Sequence, residues 1–186
     1  MLIAEQKKKE NIAEYILYMW QMEDLIRGSE LKVERVMTKV FPDENPGEEL
    51  ALEYENWFAE LINEMKKDGL EKQGHLKIVQ RNIISLNDLH RSLLMTFQDK
   101  KYQDIYKETS EDIGLLKGKS GSDELNEVEI CLTGLYGLML LRIKKASISE
   151  DTLAAMNRIG KLMAYLAGSY KKYQNGELSL PREMNN

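Results

Sequence analysis

The chain has 186 residues, of which 42% are hydrophobic and 31% charged, with a formal net charge of -5 and a single cysteine. That length supports a core without disulfides or a structural metal, and the acidic balance speaks against a nucleic-acid partner. One cysteine excludes an intramolecular disulfide and fits a reducing compartment.

Apolar residues recur at helical spacing along every long segment, and no run alternates as a strand would. The pattern predicts an all-α, single-domain helical bundle of about seven helices over residues 1–174, with a flexible tail over 175–186. The first helix is expected over Ala4 to Arg27, with Gly28 as a left-handed cap. It turns Tyr15, Met19, Met22 and Ile26 inward, and Glu23 intrudes on that apolar face. Lys7, Lys8 and Lys9 form a solvated first turn, and the apolar run Tyr15 to Trp20 is too short for a signal-peptide core, so the protein is expected to be cytoplasmic. Ser29 is the expected cap of a short helix from Glu30 to Val40. Asn45 and Pro46 are expected to open a third helix that ends at Gly69 and buries Leu50, Tyr54, Trp57, Phe58, Leu61 and Met65.

A fourth helix, starting between Leu70 and His75 and ending near Phe97, places His90 on its core seam between Leu86 and Leu93. A more polar fifth helix is expected over Tyr102 to Lys117, followed by the link GKSGS. The stretch from about 124 to 145, capped by Ser122, is nearly all apolar from Ile130 to Ile143 and is expected to be the buried central helix. Its apolar run of about 14 residues falls short of the roughly 20 needed to span a bilayer, so no membrane partner is expected. A capping box of Ser147 and Glu150 starts the last helix. Gly134 and Gly137 are expected to pack on its ridge of small residues, Gly160, Ala164 and Gly168.

The segments NIAEYILYMWQMEDLIR (Asn11 to Arg27), GHLKIVQRNIISLNDLH (Gly74 to His90) and ICLTGLYGLMLLRIKKASISEDTL (Ile130 to Leu153) resemble a bacterial domain-of-unknown-function family of all-helical proteins of about this length. The likeness extends to about residue 174 and implies an all-helical fold. It implies no activity, cofactor or catalytic residue.

A di-iron bundle needs Glu-x-x-His motifs, but Asn87 stands three residues before His90 and Lys72 three before His75. Two histidines fall short of a three-histidine zinc site, so neither metal nor cofactor is expected. Asp88 and His90 point to opposite sides of one helix and cannot form a dyad. Cys131 falls on the apolar face as an inert thiol. What remains is a pairing of Glu23 with His90 as a buried polar contact that fixes helix register.

These features point first to a non-enzymatic cytoplasmic interaction protein, a homodimer or a binder of another protein, with Leu17, Trp20 and Leu31 as its surface patch. The alternative is a bundle with a Tyr/Met-lined pocket for a small apolar ligand, in which Glu23, His90, Tyr15, Met19 and Tyr54 are the candidate binding residues. A third reading is an enzyme using His90 and Glu23 in a solvent-connected cleft.

Overall fold

The computed structural model describes residues 2–42, 47–121 and 125–178. Among these, eight helices and no strand are present: α1 (Leu2–Glu10), α2 (Ile12–Arg27), α3 (Val33–Val40), α4 (Glu48–Lys67), α5 (Lys77–Met95), α6 (Lys100–Ser120), α7 (Glu127–Ile143) and α8 (Glu150–Gln174). The protein is all-α, as the periodicity predicts. The described residues fall into two compact units, one from Met1–Lys9 and Glu14–Arg81, the other from Glu10–Ala13 and Asn82–Asn186.

In the first unit, Ile16, Met19, Ile26, Val36, Phe58 and Met65 lie at or below 2% exposure. Each such side chain removed from water contributes about 1.5–3 kcal/mol, before the entropy of ordering it. Helix α4 ends as expected at Gly69, whose φ of 69° is left-handed. The Leu70 and Gly69 amides then donate to the Met65 and Lys66 carbonyls, which answers two groups that a helix end otherwise leaves open. Gly28 is no left-handed cap; the positive φ values fall on Glu30 (56°) and Leu31 (54°). Helix α3 accordingly begins at Val33, after Lys32, without a side-chain cap. The Ser29 hydroxyl is buried and caps nothing. Asn45 and Pro46 lie outside the described residues, and α4 is preceded by Gly47 at φ 88°.

In the second unit α6, α7 and α8 pack pairwise against one another. Ile130, Leu132, Ile159, Leu162 and Leu166 are sealed inside. Arg158 of α8 grips Asp112 of α6 with both ends of its fork, Nε to Oδ2 at 2.7 Å and Nη2 to Oδ1 at 2.9 Å. This planar two-bond match sets the register of the two helices. The caps differ from expectation. Asn126, not Ser122, caps α7 by accepting the Glu129 amide at 2.9 Å, and Ser149, not Ser147, caps α8 by accepting the Thr152 amide at 3.3 Å. Ser122 lies outside the described residues, as do residues 179–186 of the expected tail. The expected single first helix is two, because Asn11 Oδ1 accepts the Ala13 amide at 3.1 Å and so starts a new helix there.

The largest correction concerns α7. Only its first turns are enclosed, with Val128, Ile130, Cys131 and Leu132 at or below 2% exposure; beyond them Leu141 is 39% and Ile143 65% exposed. Its glycines also behave differently from one another. A Cβ at Gly134 would meet Leu116 Cδ1 at 2.7 Å and the Met156 sulfur at 3.5 Å, whereas Gly137, Gly160 and Gly168 have open space there. No glycine-to-glycine seam joins α7 to α8.

Candidate functional site

The two polar intrusions on apolar faces, Glu23 and His90, do not pair with each other. Glu23 lies in the first unit with its side chain fully enclosed. Its Oε1 accepts the Leu76 amide at 2.8 Å, and its Oε2 faces His75 Nδ1 at 2.6 Å. A carboxylate only accepts, so Nδ1 carries the proton and donates. Leu76 immediately precedes α5, whose first amides lack intrahelical partners, so a carboxylate there is favoured by the helix dipole.

His75 is held from both sides. Its ring stacks on Trp20 with centroids 4.6 Å apart. The preceding loop is tied down by Arg27, which donates from Nε to the Leu70 carbonyl at 3.1 Å and from Nη2 to the Gly74 carbonyl. Gly74 has φ 88°, a backbone that favours glycine, and a Cβ there would meet the Leu70 Cδ2 methyl at 2.9 Å, so that side chain would have to shift. The His75 side chain is thus engaged yet remains 30% exposed. Glu23 stands near the end of α2, and nothing in the sequence places it against the start of α5.

His90 lies in the second unit and is 4% exposed. Its Nε2 faces Glu127 Oε2 at 3.1 Å and its Nδ1 faces the Tyr102 hydroxyl at 2.6 Å. The carboxylate again fixes the proton on Nε2, so in the neutral ring Tyr102 donates to Nδ1. Tyr106, one turn along α6 from Tyr102, donates to Glu127 Oε1 at 3.1 Å. The hydrogen bond from His90 holds the Glu127 carboxyl below its ordinary range, against an opposing effect of partial burial. Burial, followed by the Glu127 charge, pushes the Cys131 thiol up to about 12, so this cysteine is chemically quiet. Glu127, Tyr102 and Tyr106 escaped the sequence reading as a group, although tyrosines four residues apart on one helix face hint at a shared partner.

Neither cluster presents its inner member to solvent, Glu23 being 0% and His90 4% exposed. Among the described residues no three His, Cys, Asp or Glu side chains converge in a way that could hold a metal ion, and no helix is long and apolar enough to cross a membrane.

Depressions open outward on each unit. The first, in the second unit, is a groove of about 290 Å³ lined by Leu116, Gly134, Gly137, Leu138, Leu141 and Met156. It shares Leu116 and Met156 with a second depression of about 400 Å³, on which Glu111, Asp151, Lys119 and Arg158 stand. The second feature is a depression of about 310 Å³ in the first unit, where Tyr15 and Met19 line a wall with Trp57 and Leu61. Of the five candidate ligand-binding residues, Tyr15 and Met19 thus meet there. Tyr54 packs instead against Phe41 and Phe58, with centroids 5.0 and 6.2 Å away. Trp20, expected on a surface patch, is 3% exposed.

A family model described as "Domain of unknown function (DUF4924)" matches residues 1–177. No curated protein and no solved structure matches the chain. The chain belongs to the DUF4924 family.

Proposed function

We propose that this member of the DUF4924 family is a non-enzymatic cytoplasmic interaction protein that self-associates through the groove between α6, α7 and α8. The observation that carries this reading is the exposed distal half of α7. An amphipathic surface helix shows polar residues to water, but here Leu138 and Leu141 line an open groove and Ile143 stands 65% exposed. Contiguous apolar surface of this kind marks an interface.

A second copy is the occupant that the charges favour. Beside the groove stand Glu111 and Asp151 together with Lys119 and Arg158, and a rim carrying both signs can pair with itself across a two-fold axis. The open space at Gly137 lets a partner's helix approach the α7 backbone closely. The cytoplasmic placement rests on the lone buried thiol of Cys131.

Light scattering coupled to size-exclusion chromatography tests the reading. The wild-type chain is expected at twice its 21.6 kDa mass. Leu141→Glu is expected to run as a monomer, while Leu52→Glu, which alters a still more exposed leucine of the first unit, stays dimeric. A wild-type monomer at every concentration overturns the reading, as does a dimer that Leu141→Glu leaves intact.

A further inference from the structure

The depression in the first unit combines three kinds of side chain. Tyr15 and Trp57 supply aromatic rings and Met19 a polarisable thioether, while Glu5 and Glu60 stand on the same lining. A third aromatic ring, Tyr18, lies against Trp57 with centroids 6.4 Å apart. The chain's own cations already use these ring faces. Lys8 Nζ sits 5.6 Å from the centre of the Tyr15 ring, and Lys7 Nζ 5.9 Å from that of Tyr18. Aromatic faces carry negative quadrupole density, and carboxylates beside them deepen the local potential. Burial first, and then the charges of Glu23 and Glu64, push the Tyr15 phenol above its ordinary value.

We propose that this depression binds an organic ammonium group, with the aromatic rings and Met19 taking the alkyl substituents and Glu5 and Glu60 the charge. A volume of about 310 Å³ suits a small alkylammonium or the head of a larger one. Lys8 is an internal competitor: α1 lays its ammonium over the ring that the ligand needs, so the ligand must displace it. Dispersion against Met19 and the rings favours methylated nitrogen over a hydrated inorganic cation, because a quaternary ammonium is cheaply stripped of water. The site owes nothing to the self-association reading, which concerns the other unit.

The test uses full-length protein labelled with carbon-13 at the methionine methyls, with the Met19 signal assigned by its loss in Met19→Leu. Tetramethylammonium chloride is titrated against sodium chloride at matched ionic strength. The Met19 methyl is expected to shift saturably with tetramethylammonium only. Lys8→Ala is expected to tighten binding about threefold by removing the competitor. Glu60→Gln, a surface change that the methyl spectrum shows to be folded, is expected to weaken it by a similar factor. The proposal is overturned if the Met19 signal follows the sodium chloride control in both wild type and Lys8→Ala. It is equally overturned if binding is indifferent to both Lys8→Ala and Glu60→Gln.

Discussion

The two units each hold one histidine–carboxylate contact, and the two are built the opposite way round. In the first unit the acid is inside and the ring partly outside: the Glu23 side chain is 0% and that of His75 30% exposed. In the second the ring is inside and the acid half out, with His90 at 5% and Glu127 at 43%. The same pair of groups therefore carries different stakes. A carboxylate sealed from water depends wholly on its two protein donors, whereas Glu127 can exchange a lost partner for solvent. A sealed imidazole is the milder case, because a neutral ring needs only one acceptor and one donor, and Glu127 and Tyr102 provide them.

Removing the sealed acid is the sharpest way to break this contrast. Glu23→Ala strands the Leu76 amide and His75 Nδ1 and leaves a hole, and a loss of about 3 kcal/mol or more is expected in urea unfolding followed by circular dichroism. A loss below about 1 kcal/mol would show that burial does not decide the cost. Next comes Tyr102→Phe, which keeps the ring's shape and leaves His90 Nδ1 without its donor. The same measurement is expected to show a loss of about 2 kcal/mol.

The smallest effect belongs to the half-exposed acid and is best read against pH. The folded state lowers the Glu127 carboxyl from its ordinary 4.5, chiefly through the hydrogen bond from His90. Its contribution is thus fully present above that value and is lost as pH falls through the lower folded one. Glu127→Gln is expected to change stability little at about pH 7 and to lessen the decline in urea midpoint between about pH 5 and pH 3. An unchanged slope would mean that solvent already screens the contact.

Much of this architecture was readable before any coordinates. The helical period placed the seams of α4 and α5, except that Leu50 is 40% exposed, and put Glu23 and His90 among apolar neighbours, where the structure finds both of them buried. Their partners were not readable, because which helix start or tyrosine pair meets a buried polar group is settled by tertiary packing. Caps slipped for a local reason: Ser147 and Ser149 offer the same hydroxyl two residues apart, and only backbone geometry decides between them. The distal half of α7 teaches a different lesson. Its apolar letters report that the surface is to be covered, and they do not report whether the cover belongs to the same chain.

The loop that delivers His75 to Glu23 also limits how this sequence can drift. Position 74 resists a side chain chiefly through its backbone angle of 88°; the Leu70 methyl that a Cβ would meet ends a flexible side chain and can swing aside. Change at 74 is therefore narrowed toward asparagine or aspartate, the residues that tolerate a left-handed backbone, whatever stands at 70.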